Sequence, residues 1–372
     1  MKLLFIASTR IPTERAMGTA IMKQCEAFAR HGVVVELWVP RRINAESEDP
    51  FTYHGVERNF TVRYIPSLDL NFLGTYAIRF ILQKASFVLG LFLRAPFSDA
   101  DIWYSREPEL IGLLPTSKKK CIELHHFFGL GTFGKFFLHS CDRIITITHA
   151  LKDDVHTHFD IPISKIHVAP SGVSLSEFKV TESKEDMRVK LGVITPLPVA
   201  LYIGALETWK GYITFLEAHA KLHGTVHAVV IGGNNEQVSD LRRRYPNVQF
   251  LGFLPLRDLP HNQKIADVLV IPNSAKEEIS ARHTSPLKVF AHMASGIPIV
   301  ASRLPSVCEV LTPMNALLVE PDNADLLAEG IICALQDKKH STQGATQALQ
   351  DVQAYDWSVR TNGIMKYINE PT

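Results

Sequence analysis

Val199-Ala200-Leu201-Tyr202-Ile203-Gly204-Ala205-Leu206-Glu207-Thr208-Trp209-Lys210-Gly211 is the stretch on which the fold turns. An unbroken apolar run that stops at a glycine and enters a polar turn reads as a strand buried on both faces, the kind found in parallel sheets. The residues just before it read differently. From Phe178 to Pro198 the chain carries Lys179, Glu182, Lys184, Glu185, Asp186 and Lys190, then Pro196 and Pro198, and the strand–helix pattern lapses. A domain boundary is therefore expected near residue 180. Downstream the pattern continues through strands at Ala228–Ile231, Val248–Leu251, Val268–Ile271, Ile299–Ala301 and Ala316–Val319, and closes on an amphipathic helix, Tyr355–Asn369. Upstream an earlier series holds strands at Leu3–Ala7, Val33–Val39, Asp101–Ser105, Lys120–His125, Arg143–Thr148 and Lys165–Ala169. A helix over Ala20–Arg30 is stopped by Gly32.

The chain has 372 residues, enough for two domains of about 180 residues each. The expected division is 1–180, 181–352 and a C-terminal helix in 353–372 that crosses back to the first domain. Two strand–helix series of this kind give an α/β protein with two Rossmann-like domains facing each other across a cleft, with ligands outside the carboxyl ends of the strands. Hydrophobic residues make up 46% and charged residues 21%, and the net charge is +1. That balance gives no reason to expect a nucleic-acid partner. Cys25, Cys121, Cys141, Cys308 and Cys333 are odd in number and form no C-x-x-C pair, which argues against a disulfide framework and a zinc site and for a reducing, cytoplasmic compartment. The N-terminal run Met1–Ala7 passes straight into Ser8-Thr9-Arg10 and reads as a buried strand rather than a signal peptide. Between Phe72 and Phe97 an apolar segment is interrupted by Arg79, Lys84 and Arg94, which argues against a transmembrane span. It reads as a core helix on the sheet, with a helix lying in a membrane interface as the alternative.

Thr284-Ser285-Pro286-Leu287-Lys288-Val289-Phe290 carries the first chemistry. Thr284 or Ser285 suits an N-cap and Pro286 the first helical position, which predicts a helix from Pro286 to about Ala294 with Gly296 at its end. The free N–H groups and positive dipole end of such a helix suit a diphosphate; a plain, well-capped helix would look the same.

The segment Ser274–Glu309, with Ser285-Pro286-Leu287-Lys288, Met293-Ala294-Ser295-Gly296 and Pro298-Ile299-Val300-Ala301-Ser302, resembles the donor-binding region of family 4 glycosyltransferases with the GT-B fold. It is most like a bacterial branch reading S-P-L-K followed by F-x-x-M-A-S-G. The resemblance runs along the whole chain and is stronger in the second half. It implies a retaining enzyme that moves a sugar from a nucleotide sugar to a saccharide or lipid-linked acceptor in cell-surface glycan synthesis, without a metal or other cofactor. It also implies contact with the inner face of the membrane.

Carried over by position, the resemblance gives His283, Thr284, Ser285, Pro286, Leu287 and Lys288 to the donor. Lys210 would be the cation for the leaving diphosphate, within a Gly204…Lys210-Gly211 stretch. Gly232 would be a close-approach turn beside the nucleotide, and Phe253 and Leu254 part of the loop that holds the base. In the first half Gly18 would let backbone approach the donor, and His125, in Glu123-Leu124-His125-His126, would lie beside the transferred sugar. Arg106, in Tyr104-Ser105-Arg106, would contact the acceptor or else pair with Glu107 or Glu109.

The pattern departs from the family at several points. His283 and Ala291 stand at the two positions of its signature glutamate pair. Ala205 replaces the arginine that usually partners Lys210, and His126 replaces an aspartate. Front-face departure of the nucleoside diphosphate is the implied mechanism. A silent GT-B nucleotide-sugar-binding protein and a nucleotide-sugar epimerase stay open as alternatives. A dinucleotide oxidoreductase is disfavoured, because Ser8-Thr9-Arg10-Ile11-Pro12 holds no G-x-G-x-x-G turn.

Overall fold

The computed structural model describes residues 1–371 except 45, 71–75, 113, 115, 116, 127–130 and 132. It contains two compact units, Met1–Pro170 with Trp357–Thr372, and Ser171–Asp356.

The first unit is built on a seven-stranded sheet of order β3-β2-β1-β4-β5-β6-β7. The strands are β1 (Lys2–Ile6), β2 (Val34–Arg41), β3 (Thr61–Pro66), β4 (Ile102–Ser105), β5 (Lys119–Leu124), β6 (Arg143–Thr146) and β7 (Ile166–Val168). Every neighbouring pair is parallel. Because side chains alternate along a strand, β1 supplies two cores. Leu4 and Ile6 face Trp38, Trp103 and Phe87. Leu3 and Phe5 face Ile21 and Phe28 of the Ala16–Arg30 helix and Ile364 and Ile368 of the Trp357–Asn369 helix. The C-terminal helix is tied to this sheet through main-chain acceptors: Lys119 Nζ donates to Ile368 O at 2.8 Å and Arg143 Nε to Tyr367 O at 3.1 Å.

The second unit holds a six-stranded sheet of order β10-β9-β8-β11-β12-β13. Its strands are β8 (Val199–Ile203), β9 (His227–Ile231), β10 (Val248–Gly252), β11 (Val268–Ile271), β12 (Ile299–Ser302) and β13 (Leu317–Val319), again all parallel.

Some sequence expectations shift. The units divide after Pro170, not near residue 180, because the segment after Pro170 packs into the second unit. Val173 N–H donates to Tyr355 O at 3.0 Å, and Val173 lies in one core with Ile271, Val289 and Phe290, with Leu175 and Phe178 against it. β6 ends at Thr146 rather than Thr148, because Thr148 Oγ caps the following helix by accepting the Leu151 N–H at 3.1 Å. Strand β3 was not expected; it lies at the sheet edge and buries only Ile65, so its apolar signal is weak. The start of the Phe72–Phe97 segment falls outside the described residues. The rest forms the Tyr76–Arg94 helix, whose Phe87 and Leu91 are buried in the core.

Candidate functional site

In the second unit the turns after β8, β9, β10 and β11 converge. Gly204 N–H donates to Ile231 O and Gly232 N–H to Gly252 O at 2.7 Å, so the ends of three strands lie side by side. A Cβ on Gly232 (φ 135°) would sit 1.9 Å from Gly204 O, so only glycine permits this approach. Gly211 is the same case: φ is 72° and a Cβ would lie 1.6 Å from Pro272 O. Ser274 N–H donates to Trp209 O at 2.9 Å, which fixes the turn carrying Lys210 against the end of β11. Lys210 Nζ then stands 4.9 Å from the centroid of the Trp209 ring and 3.2 Å from the half-exposed Glu207 carboxylate. Leu254 packs on the core behind this edge, while Phe253 is exposed.

The predicted phosphate-binding helix runs over Leu287–Ser295. Neither Thr284 nor Ser285 caps it. Pro286 is the N-cap, no side chain bonds the first turn, and no acidic residue lies in it. Ser285 Oγ is occupied elsewhere, accepting the Ser171 N–H at 2.9 Å. The helix therefore starts at Leu287, with its positive end free of side-chain acceptors.

Lys288, the second helical residue, has its Nζ buried without a hydrogen-bond partner among the described residues, 5.2 Å from the centroid of the Tyr202 ring. Burial first, and the Lys210 charge second, push it down to about 7. Ala291 and His292 lie one turn on along the same face. Ala291 is buried in the place of the absent glutamate. His292 is buried with neither ring nitrogen partnered, and burial followed by the Lys288 charge lowers it to about 3, so it is neutral. Asn273, beyond β11, is buried with both amide atoms unpartnered. His283 ends a π-helical turn, Ile279–His283, and is fully buried. An unpartnered buried polar group costs roughly 1–3 kcal/mol, so this edge holds several groups whose bonding capacity the protein itself does not use.

In the first unit the expected site residues form a network around a carboxylate that sequence reasoning did not single out, with Arg106 Nε and Nη1 and Arg360 Nη1 left without a hydrogen-bond partner among the described residues. Glu123, at 0% exposure, accepts from Tyr104 Oη at 2.5 Å, Gln24 Nε2 at 2.7 Å and His125 Nε2 at 2.7 Å. Arg106 and Arg360 place guanidinium nitrogens 3.1 and 3.0 Å from it. Burial alone would raise this carboxyl; the Arg360 and Arg106 charges outweigh burial and hold it well below the usual carboxylate range. Arg106 thus pairs with Glu123 and not with Glu107 or Glu109, and its Nη2 also donates to Gln24 Oε1 at 2.8 Å. Burial and then the Arg106 charge push His125 down to about 4. A carboxylate only accepts, so neutral His125 carries its proton on Nε2 and leaves Nδ1 as an acceptor. Gly18 serves packing: a Cβ there would lie 2.2 Å from Thr13 Cγ2. Arg360 comes from the C-terminal helix, and no local signal marked it.

Two family models match this chain: "Glycosyltransferase Family 4" over residues 17–177 and "Glycosyl transferases group 1" over residues 197–337. An uncharacterized glycosyltransferase of Methanocaldococcus jannaschii is 29% identical over 230 residues, 59% of this chain and 57% of that protein. A GDP-mannose-dependent monoacylated alpha-(1-6)-phosphatidylinositol monomannoside mannosyltransferase of Corynebacterium glutamicum is 26% identical over 199 residues, 51% of this chain and 52% of that protein. The chain thus spans little more than half the length of these curated relatives. Among solved structures, HepE of Anabaena in complex with UDP-glucose superposes with a TM-score of 0.74 at 18% identity, over 98% of each chain.

Proposed function

This chain is a glycosyltransferase of family 4 type, matched by the Glycosyltransferase Family 4 model in its first half and the Glycosyl transferases group 1 model in its second, and from that premise we propose that it transfers a sugar from a nucleotide sugar to a saccharide or lipid-linked acceptor in glycan synthesis, with retention of configuration. The observation that carries the reading is Lys288, a buried and unpartnered cation beside Lys210 at the uncapped start of the Leu287–Ser295 helix. A nucleoside diphosphate supplies what this edge lacks: negative charge for Lys288, with Lys210, now paired with Glu207, close enough to share it, and acceptor oxygens for free N–H groups.

In this scheme the bond between the anomeric carbon and the diphosphate oxygen breaks while Lys210, Lys288 and the helix N-terminus hold the departing charge. The acceptor hydroxyl forms its bond to the anomeric carbon on the same face, and its proton passes to the leaving phosphate oxygen. In the first unit, neutral His125 keeps Nδ1 as an acceptor of the kind a sugar hydroxyl needs. Two lysines do the neutralising work that a divalent cation does elsewhere, so the reaction is expected to persist in a chelator.

Thermal stability measured against UDP, GDP, ADP and their common sugars, in wild type and Lys210→Ala, tests the donor half. A ligand at about 100 times its Kd adds roughly 2.7 kcal/mol of stability. A shift with one nucleotide that is lost in the variant supports the reading and names the donor class; no shift with any of them removes it. Ala291 and His283 at the glutamate positions favour a second reading, a binding protein without turnover. Nucleotide binding with no sugar released or transferred would select it.

A further inference from the structure

The Tyr76–Arg94 helix is apolar on two opposite faces, and the protein covers one of them. Phe87, Leu91 and, just beyond the helix, Ala95 are fully buried against the sheet, and Gly90 packs so closely on β3 that a Cβ would lie 2.9 Å from Ile65 Cγ2. The other face carries Ile78, Ile81, Leu82, Leu89, Phe92 and Leu93. These recur at three- and four-residue spacing, the period of one helical stripe. Ile78, Ile81, Leu89 and Leu93 are each more than 60% exposed. The stripe does not end with the helix, since Phe97 is 86% exposed. On the same side of the sheet, the Phe133–His139 helix turns Phe133 and Phe136 outward while Leu138 enters the same core as Phe87. So many large apolar side chains bare along one helical stripe are unusual on a chain that meets only water.

Charge selects the occupant. Arg79, Lys84 and Arg94 are the helix's only charged residues, with no acidic residue among them; Lys84 is balanced by Glu109 and Glu107, so the helix's net positive charge is that of Arg79 and Arg94. One helix among the described residues is long and apolar enough to cross a membrane, and it is this segment, Ile78–Phe97. Its inner face, however, is committed to the core, so it cannot leave the sheet to span. A helix that exposes one apolar stripe, is edged by cations and is anchored along its back suits the plane of a bilayer interface.

We propose that the outward face of the Tyr76–Arg94 helix, with Phe97, Phe133 and Phe136, beds into the headgroup region of an anionic lipid bilayer. The helix is also wired to the strand ends. Lys84 ion-pairs with Glu109 and, at 3.3 Å, with Glu107. Glu107 in turn accepts the Ser8 N–H at 2.8 Å and the Ser8 hydroxyl at 2.6 Å, just beyond β1. β1 and β4 are the neighbours at which the strand order reverses, where open α/β sheets bind ligands. A docked helix therefore brings bilayer-anchored molecules to the first unit's strand ends. This last step, and only this step, rests on the transferase reading; it favours the lipid-linked acceptor.

Co-sedimentation of the full chain with phosphatidylcholine vesicles, with and without phosphatidylglycerol, tests the docking. Wild type is expected to bind the phosphatidylglycerol vesicles at least tenfold more strongly than phosphatidylcholine alone, and to be released by high salt. The double variant Leu89→Asp/Leu93→Asp is expected to lose at least tenfold in vesicle binding while its circular dichroism, melting temperature and nucleotide response stay those of wild type. Equal binding by the variant, or no binding by wild type to either vesicle, overturns the proposal. So does a wild-type dimer that the variant dissolves without any vesicle binding, which would assign the face to a second copy. The nucleotide response is read independently, so loss of docking and loss of the transferase reading are told apart.

Discussion

At the strand ends of the first unit, the Glu123 carboxylate meets Tyr104, Gln24, His125, Arg106 and Arg360. At the strand ends of the second unit, Lys288 Nζ, both nitrogens of His292 and both amide atoms of Asn273 meet no hydrogen-bonding group among the described residues. Both regions are buried, and both follow parallel strands. The difference lies in whether the buried charge at the centre is compensated. In the first unit the protein balances the Glu123 carboxylate, drawing on strands, the Ala16–Arg30 helix and the C-terminal helix together, even though Arg106 Nε and Nη1 and Arg360 Nη1 have no hydrogen-bond partner among the described residues. In the second unit the protein leaves desolvated donors and a cation uncompensated among the described residues, which lowers its own stability; the donor diphosphate proposed above would make good that loss. A buried polar network of the first sort holds a fold together; a cluster of the second sort is better accounted for by a ligand.

Removing one member from each region should therefore have opposite consequences. Glu123→Ala strips the counter-charge from two buried arginines and is expected to cost about 3–5 kcal/mol, read as a large fall in the urea midpoint without ligand. A wild-type midpoint would break the comparison. Lys288→Met removes a buried charge that has no partner, so the ligand-free protein should melt at the wild-type temperature or higher, at about pH 6 where that lysine is protonated in both states. Nucleoside-diphosphate binding should nevertheless weaken by roughly 1.5–3 kcal/mol, as expected for a hydrogen bond to a charged group. Calorimetric titration checks this, and undiminished affinity would show that Lys288 is not part of the donor site.

The same lysine gives a pH signature. Its folded value lies at about 7, below its ordinary value, so between the two the unfolded chain binds more protons. The ligand-free protein should gain stability from this group as pH rises from 7 toward 10. A bound diphosphate favours the protonated form, so affinity should fall by up to about tenfold per pH unit above 7, with proton uptake on binding. The slope should flatten in Lys288→Met. Smallest in effect is Ser285→Ala, which removes the acceptor for the Ser171 N–H. It should cost about 1 kcal/mol of second-unit stability and leave the helix start intact, because Pro286 and not Ser285 is its N-cap. A loss of helix content would contradict that assignment.

Much of this was legible in the chain. Apolar runs such as Leu201–Ile203 and Val268–Ile271 declare parallel strands, because a strand buried on both faces needs no polar alternation. Gly211 and Gly232 mark the turns where backbones touch. Lys210 and Lys288 were given to the donor by resemblance; what the structure adds is that Lys288 Nζ is buried without a hydrogen-bond partner among the described residues. The cap at Ser285 was misread because its hydroxyl found a better-placed donor, the Ser171 N–H, which is remote in sequence.

What the sequence by itself determined is the periodicity: two α/β series, an apolar Tyr76–Arg94 helix, and the residue types at the strand ends. Tertiary structure alone decided which polar atoms are satisfied. Arg360 lies far along the chain from Glu123 yet pairs with it, Val173 joins the second core rather than the first, and one stripe of the Tyr76–Arg94 helix is buried while its opposite stays bare. The physical reason is the range of the interactions. Strand and helix patterns are set by neighbours a few residues apart, whereas burial and charge pairing depend on which distant segments the fold brings within a few ångströms.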